Sequence, residues 1–126
     1  MIRLTLPWPP STNRYWRHVG ARVLISAQGR AYRTSVARVV AAARAAGICG
    51  QAPLAARLAI TIQACPPDKR RRDLDNTLKA LLDALTHAGL WVDDSQIDRL
   101  TVERGEVLEG GAVLLSVEPM SARAAA

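Results

Sequence analysis

Alternating apolar positions predict a strand at the start of the chain. Ile2, Leu4 and Leu6 alternate with polar residues, which is the period that places every second side chain on one face of a sheet. The segment 7–13 (Pro-Trp-Pro-Pro-Ser-Thr-Asn) must end this strand, because proline cannot donate a hydrogen bond to a neighbouring strand. After this loop, residues 21–25 (Ala-Arg-Val-Leu-Ile) predict a second short strand.

A long amphipathic helix is predicted next. Ser26 is a suitable N-cap and Gly47 a suitable left-handed C-terminal cap, so we expect the helix to run to about Ala46. Gly29 weakens its first turn, because glycine is a poor helix former. The apolar stripe consists of Tyr32, Val36, Val39, Val40 and Ala43, and the arginines mostly off it are Arg30, Arg33, Arg38 and Arg44. One face should therefore pack and another should be basic.

A third strand and a second helix follow. Alternation within residues 54–64 predicts the strand, which Pro66-Pro67-Asp68 ends. A periodic helix is predicted from the segment 73–76 to about Ala88, where Gly89 closes it. Its predicted buried stripe is Leu74, Leu78, Leu81, Leu82 and Leu85, with Asp75, Lys79, Asp83 and Thr86 to one side.

The remaining segment predicts two more strands. These are residues 97–106 and 112–117, joined by a Glu-Gly-Gly turn at 109–111. The resulting order is strand, strand, helix, strand, helix, strand, strand. This order predicts an α+β fold, with a mixed β-sheet and two main helices packed on it. We expect a single small domain over residues 1–120 and a disordered tail over residues 121–126.

Composition narrows the class of protein. The chain has 126 residues, of which 49% are hydrophobic and 22% charged, and these values exclude a disordered, collagen-like or disulfide-scaffold protein. Cys49 and Cys65 are too few for a disulfide framework, and no Cys or His cluster has the spacing of a zinc site. No segment has the apolar length of a signal peptide or of a membrane span, which takes about 18 residues. We therefore expect a cytoplasmic protein with no membrane partner.

Basic and acidic residues are divided along the chain. Residues 1–72 contain thirteen Lys or Arg and one acidic residue, whereas residues 73–126 contain four and ten. A basic surface attracts polyanions, so the first part favours nucleic acid as a partner. Fifteen of the seventeen basic residues are arginine, so the codon usage of a GC-rich genome is the alternative explanation.

Aspartates flank the second predicted helix. Asp73 and Asp75 stand at its start, and Asp93 and Asp94 precede the strand after it. If that strand runs back beside the helix and brings these carboxylates together, Mg²⁺ would relieve their mutual repulsion, because it prefers hard oxygen ligands. Lys79 would then place an ammonium beside a metal-bound phosphate.

Each of these residues also has a structural explanation. Asp73 is a suitable N-cap, Asp75 is placed to pair with Lys79, and Asp93-Asp94 is typical of a turn. The basic run before them is equally typical of a solvated loop. Their joint placement favours a phosphate site beside a metal site, because two aspartates directly follow four consecutive cations, Lys69, Arg70, Arg71 and Arg72.

Four segments of the chain resemble one known family. They are 6–15 (LPWPPSTNRY), 26–33 (SAQGRAYR), 70–76 (RRRDLDN) and 89–96 (GLWVDDSQ), with Lys79 between the last two. In this order and spacing they are similar to the RusA family of Holliday junction resolvases. The resemblance extends from residue 4 to about residue 118 and so covers nearly the whole chain.

The resemblance implies a Mg²⁺-dependent DNA endonuclease, with Mn²⁺ able to substitute. Such an enzyme acts as a homodimer and cuts four-way junction DNA by paired symmetric nicks. By position, the catalytic residues are Asp73, Asp75, Asp94 and Lys79, and the three aspartates are the metal ligands. Asn76 and Asp93 are expected beside those ligands. The expected DNA-binding residues are Lys69, Arg70, Arg71, Arg72, Arg14, Arg30 and Arg33.

Two other classes of protein remain as alternatives. The first is a non-catalytic protein that binds four-way junctions and contacts a protein partner through its acidic half. The second is a nucleotide-sugar transferase in which Asp73-Leu74-Asp75 would chelate a metal-bound diphosphate. The second needs a nucleotide pocket for which 126 residues leave little room.

Overall fold

The computed structural model describes residues 1–120, so the predicted tail at 121–126 lies outside the described residues. The elements in chain order are β1 (Ile2–Leu6), α1 (Thr12–Tyr15), β2 (Trp16–Val19), β3 (Arg22–Ile25), α2 (Ala27–Ala45), β4 (Leu58–Cys65), α3 (Leu78–His87), β5 (Ile97–Arg104) and β6 (Ala112–Pro119). Short 3₁₀ turns at Leu74–Thr77 and Asp94–Gln96 precede α3 and β5 respectively.

The main sheet has four strands in the order β1-β6-β4-β5. β4 is parallel to β5, whereas β6 is antiparallel to both β1 and β4. Two parallel neighbours need a crossover connection, and α3 provides it between β4 and β5. The core lies between the sheet and the pair α2 and α3, and includes Val36, Ile60, Leu81 and Leu115. The predicted α+β fold with a mixed sheet is therefore confirmed.

The predicted caps of α2 are present. The Ser26 side chain accepts a hydrogen bond from the Gly29 N–H at 3.0 Å, and Gly47 has φ of +74°. Gly29 is buried, and a Cβ there would clash with the Tyr15 carbonyl oxygen and lie 2.7 Å from Ile25 Cγ1. Glycine at position 29 weakens the first turn of α2. It is nevertheless required there, because it lets the ends of α1 and β3 approach α2 closely.

A hairpin of β2 and β3 forms a separate two-stranded sheet. The sequence did not predict β2, because Trp16-Arg17-His18-Val19 is short and lacks an apolar alternation. Gly20, with φ of +60°, lies in the turn between the two strands. The Ser26 N–H and hydroxyl both donate to the Tyr15 carbonyl oxygen at 2.9 Å, which ties the base of the hairpin to α2.

The largest differences from the predicted boundaries are at the starts of β4 and of the second helix. β4 begins at Leu58 rather than at Leu54, which forms only an isolated bridge with Trp91. The second helix becomes α-helical only at Leu78, and Leu74 is 37% exposed, so its predicted burial was wrong. The Thr12 hydroxyl donates to the Asn76 carbonyl oxygen at 2.9 Å, so the 3₁₀ turn at Leu74–Thr77 is bonded to α1 instead of continuing the α-helix.

Among the described residues, no helix has the length and apolar character needed to cross a membrane.

Candidate active site

Asp73 and Asp75 lie where the chain leaves the C-terminal end of β4 and enters α3. Asp73 occupies the N-cap position of the 3₁₀ turn, yet its side chain makes no capping hydrogen bond. Asp75 is in the first turn, and both residues are exposed. Neither carboxylate takes part in a side-chain hydrogen bond or ion pair within residues 1–120, so both are accessible to a cation.

Lys79 is exposed near the start of α3, one helical turn beyond Asp75. It forms no ion pair with Asp75 within the described part of the chain, so the structural explanation for this pair is not supported. Lys79 lines an open cavity of about 850 Å³ together with Thr12, Asn13, Trp16, His18, Val23 and Asp83. The cavity lies between the hairpin and α3.

Asp83, one turn after Lys79, is held by two residues from other elements. The Arg33 Nη2 atom lies 2.8 Å from Asp83 Oδ2, and the Tyr15 hydroxyl donates to the same oxygen. Arg33 Nε also donates to the Tyr15 hydroxyl oxygen at 3.0 Å. Burial, together with the adjacent Asp83 carboxylate, raises the pKa of Tyr15 above its ordinary value. This network fixes α3, and therefore the backbone that carries Lys79, against α1 and α2.

The sequence did not identify Tyr15 and Asp83 as site residues. Asp83 shares one side of the helix with Lys79, and this spacing was the available signal. The network also distinguishes Arg33 from the other predicted DNA-binding residues, because its guanidinium is bonded inside the fold. Its side chain is only 22% exposed.

Several predicted DNA-binding residues line one cleft of about 610 Å³. Its lining includes Arg14, Arg70, Arg71, Arg72 and Asn76. The side chain of Arg70 is 83% exposed, and Lys69, Arg71 and Arg14 are exposed as well. The cleft therefore presents cations to solvent next to the acidic turn.

Arg72 is bonded more closely than the two arginines before it, although Arg70 Nε also lies 3.5 Å from Asp68 Oδ2. The Arg72 Nη1 atom donates to Asp68 Oδ1 at 2.7 Å, and its guanidinium lies 5.9 Å from the ring centre of Trp8. The hydrogen bond from Arg72 lowers the pKa of Asp68 from 3.8 to about 2. Arg72 thus orders the loop that carries Arg70 and Arg71.

Only part of the basic face predicted for α2 is accessible to a ligand. Arg30, Arg33 and Arg38 line a second open groove of about 550 Å³. Arg30 and Arg38 are exposed, and Arg30 Nη1 donates to the Ile25 carbonyl oxygen at 3.2 Å. Of the three arginines, Arg30 and Arg38 therefore have the more accessible charges.

Asp93 and Asp94 differ in their surroundings. Asp93 caps the second 3₁₀ turn: its carboxylate accepts from the Ser95 N–H at 3.2 Å and from the Ser95 hydroxyl. In return, Gln96 Oε1 accepts from the Asp93 N–H at 2.8 Å. The Ser95 hydrogen bonds lower the pKa of Asp93. Asp94 is exposed, and its carboxylate has no hydrogen-bond partner among residues 1–120.

The two acidic segments lie at opposite ends of the sheet. Along the parallel pair of strands, Leu58 is opposite Ile97 and Ala64 is opposite Arg104. Asp94 is the first residue of the 3₁₀ turn that immediately precedes β5. Asp73, by contrast, follows Arg72, whose carbonyl oxygen accepts from Arg104 Nη2 at 2.9 Å. The seven residue steps of β5 span about 23 Å at 3.3 Å per residue.

A single chain therefore does not assemble the predicted metal ligands. Within residues 1–120, no group of three or more His, Cys, Asp or Glu side chains is arranged to hold a metal ion. The fold places Asp73, Asp75 and Lys79 at one end of α3 and Asp94 at the other. Asn76 lies with the first group, and Asp93 with Asp94.

Comparison with known proteins identifies the family. The family model described as Endodeoxyribonuclease RusA matches residues 7–117. A Crossover junction endodeoxyribonuclease rusA from Enterobacteria phage 82 is 47% identical over 117 residues, which are 93% of each chain. The proteins of the same name from Escherichia coli (strain K12) and Shigella sonnei (strain Ss046) are 46% identical, again over 93% of each chain. With a family model that matches residues 7–117 and relatives matched over 93% of the chain, the chain belongs to the RusA family.

Proposed function

We propose that this protein is a Holliday junction resolvase that cuts four-way DNA junctions by paired symmetric nicks during homologous recombination and DNA repair. The observation that carries the proposal is the 46–47% identity, over 93% of both chains, to proteins named crossover junction endodeoxyribonucleases. The basic cleft beside the exposed Asp73 and Asp75 agrees with a phosphodiester substrate.

We also propose Mg²⁺ as the cofactor, with Mn²⁺ as a substitute, and Asp73, Asp75 and Asp94 as its ligands. Exposed carboxylates that lack other partners are the hard oxygen donors that Mg²⁺ prefers. Asp73 and Asp75 fit this role, whereas Asp94 of the same chain is at the far end of α3 and does not join them. When bound, a divalent cation polarises a phosphodiester and helps to generate the attacking hydroxide.

The cationic side chains have two roles in this proposal. Lys79 supplies a fixed positive charge close to Asp75, where it stabilises negative charge that develops on the phosphate during cleavage. Lys69, Arg70, Arg71 and Arg14 hold the DNA backbone, and such contacts position a duplex without reading its sequence. We expect products with 5′-phosphate and 3′-hydroxyl ends, which a ligase reseals.

Paired cutting requires two sites related by symmetry. A four-way junction has approximate twofold symmetry, and a twofold homodimer presents two equivalent sites to it. We therefore propose a homodimer as the active form. We place its activity in the cytoplasm, because Cys49 and Cys65 are free thiols in the structure and free thiols persist in a reducing compartment.

The test is cleavage of a labelled synthetic four-way junction by the purified protein. We expect symmetric nicks with Mg²⁺, no nicks with EDTA, and no nicks in a linear duplex of the same sequence. The Asp73→Asn variant serves as the matched control, and it should bind the junction without cutting it. Tight binding by the wild-type chain with no cleavage in any divalent metal would overturn the proposal in favour of a non-catalytic junction-binding protein.

A further inference from the structure

One face of the β2–β3 hairpin borders the open cavity beside α3. In the register of the two strands, His18 is opposite Val23, and residues directly opposite each other in an antiparallel pair project to the same face. Alternation along β2 puts Trp16 on that face as well. All three residues line the cavity of about 850 Å³. Because Val23 is 56% exposed there, the described part of the chain leaves much of this face open to solvent.

Trp16 is a fixed aromatic ring in the wall of this cavity. It packs edge to face against Tyr15, with the ring centres 4.9 Å apart and the planes at 83°. Tyr15 is fully buried and donates to the Asp83 carboxylate, so the ring behind Trp16 is itself held in place. Trp16 is half-buried, and the part of its ring that remains open suits a flat ligand that stacks on it.

Polar groups without partners lie beside this ring. The Asn13 amide and the His18 imidazole form no hydrogen bond within residues 1–120, and both side chains are exposed. The hydrogen bonds to the Asp83 carboxylate all use Oδ2, which leaves Oδ1 as a further acceptor. Amide and carboxylate groups bond to the edges of nucleobases, and aromatic rings stack on the faces of nucleobases. The wall of the cavity thus has the chemistry of a nucleobase site.

The cavity adjoins the basic cleft across α1. Arg14 lines the cleft, whereas the residue before it, Asn13, lines the cavity. Lys79 also lines the cavity, and it lies one helical turn beyond Asp75. A DNA strand whose backbone follows the cations of the cleft therefore reaches the cavity next to the proposed cutting site. This continuity favours a nucleotide as the occupant.

We propose that the cavity receives one unstacked nucleobase of the strand that is cut, stacked on Trp16 and hydrogen-bonded by Asn13 and His18, with the adjoining phosphate at Lys79. The identity of the bound strand rests on the proposed function. Extruding a base from a continuous duplex costs free energy, and the cost is least where pairing or stacking is already interrupted. A branch point interrupts the stack of bases, so this cavity favours a junction over a linear duplex.

Photochemical cross-linking tests whether a base occupies the cavity. In a synthetic junction, 5-iodouracil replaces one base at a time on both sides of the branch point, and each complex with the wild-type chain is irradiated in EDTA. The iodinated base forms an adduct with an aromatic side chain on which it stacks, and peptide mass spectrometry locates that side chain. We expect one position of the cut strand to give an adduct at Trp16 or His18. Adducts confined to residues outside the cavity, such as Trp8, would overturn the proposal.

Paired changes in protein and DNA measure the stacking contact. Trp16→Leu should weaken binding of the intact junction in EDTA by about 5- to 150-fold, the range for a base stacked on an aromatic side chain. On a junction with an abasic site at the cross-linked position, the same substitution should have little effect, because no base is left to stack. Equal losses of affinity on the two junctions would make Trp16 a purely structural residue and overturn the proposal.

A conservative variant separates loss of the stacking ring from loss of the fold. Trp16→Phe keeps an aromatic surface and should retain most of the affinity that Trp16→Leu loses. Circular dichroism verifies that both variants are folded. If Trp16→Leu does not fold, Asn13→Ala and His18→Ala take its place in the abasic comparison, since both positions are exposed, and equal losses on the two junctions again overturn the proposal.

The polar side chains of the cavity should determine which base is preferred. With each of the four bases in turn at the cross-linked position, wild-type affinity should vary by about 5- to 150-fold, the discrimination of a well-formed contact to a base edge. Asn13→Ala and His18→Ala should each narrow this range. Val19→Ala is the matched control, because Val19 follows His18 in β2, is 42% exposed and projects to the opposite face. An unchanged range in both cavity variants would overturn the hydrogen-bonded base.

The outcomes separate this proposal from the proposed function. Failure of the wild-type chain to cleave any junction overturns the proposed function, while cross-linking and binding in EDTA still decide whether a base enters the cavity. Cleavage by the wild-type chain, with equal losses for Trp16→Leu on intact and abasic junctions, retains the resolvase and overturns the base contact. If Trp16→Leu changes the sedimentation of the chain and not its affinity for the junction, a protein surface covers the hairpin instead, which also overturns the proposal.

Discussion

Arg33 on α2 reaches across to Asp83 on α3 and donates to the carboxylate through both Nε and Nη2, at 3.0 and 2.8 Å. The Tyr15 hydroxyl donates to the same carboxylate oxygen. Asp83 therefore joins α1, α2 and α3. It lies four residues after Lys79, the lysine predicted to take part in the reaction.

Replacing Asp83 should lower stability more than replacing an exposed charge. We expect Asp83→Ala to reduce the free energy of unfolding by about 1–3 kcal/mol, because the charged Arg33 is left half-buried without its partner. Urea denaturation measures this, and Arg38→Ala is the control, expected within about 0.5 kcal/mol of wild type. If Asp83→Ala lowers the free energy of unfolding no more than Arg38→Ala does, water replaces the hydrogen bonds of Asp83 without a net cost.

The acid sensitivity of the basic loop should follow Asp68. Its pKa falls from 3.8 to about 2 in the folded chain because Arg72 donates to it. A carboxyl with a lowered folded-state pKa stabilises the fold above its unfolded pKa. This contribution is therefore complete near neutral pH and is lost as the pH falls from 3.8 through about 2. NMR titration should give a midpoint of about 2 for Asp68 and a higher one in Arg72→Gln; an unchanged midpoint in the variant would contradict the assigned cause.

Asp93 and Asp94 should respond differently to the same substitution. Asp94→Asn should reduce junction cleavage by about 100-fold or more, the scale of losing one charged or polar group from a reaction centre, with junction binding retained. Asp93→Ala removes a cap and should reduce stability by about 0.5–2 kcal/mol while cleavage persists. Junction cleavage and thermal unfolding of both variants provide the measurements. Loss of cleavage in Asp93→Ala, with cleavage retained in Asp94→Asn, would instead make Asp93 the metal ligand.

The arginines of the cleft should differ in the salt dependence of binding. Arg70→Gln and Arg71→Gln should each flatten the slope of log affinity against log salt by roughly one unit if each residue contacts a phosphate. Arg72→Gln should change the slope less, because the Arg72 side chain is only 22% exposed and lies 2.7 Å from Asp68, whereas Arg70 is 83% exposed. Junction affinity measured over a range of salt concentrations distinguishes them. Equal slopes for wild type and all three variants would exclude the loop from the DNA contact.

Gly29 should not tolerate a methyl group. A Cβ at this position would clash with the Tyr15 carbonyl oxygen, and we expect Gly29→Ala to reduce stability by about 1–3 kcal/mol, as overpacking does. Gly50→Ala is the matched control, because no atom lies within 4 Å of a Cβ there. Equal stability of the two variants would mean that the hairpin can move away from α2.

Local patterns in the sequence were sufficient for much of the fold. Ser26 and Gly47 cap α2 as predicted, because capping depends on neighbours in the chain. The start of α3 was wrong because the bond from Thr12 to the Asn76 carbonyl comes from a residue 64 positions away. No local pattern at Leu74 contains that information.

The candidate site shows the same limit. The predicted meeting of the aspartates depended on a strand that runs back beside the helix, and β5 does run back. Asp94, however, precedes β5, so the strand returns Arg104 and not Asp94 to the neighbourhood of Asp73. Which end of a strand a residue occupies becomes clear only when the sheet topology is known.

The position of β6 between β1 and β4 affects how the chain can fold during synthesis. Ile2 pairs with Val117, so the first strand can complete its pairing only after residue 117 has been made. Contacts between residues so distant in sequence are slow to form, since a long loop must close first. Until β6 is made, the edges of β1 and β4 that pair with it are exposed. Such unpaired strand edges are prone to aggregation, so the growing chain is protected only when β6 is complete. A chain cut short before Ala112 would lose the strand that joins its N-terminus to the rest of the sheet.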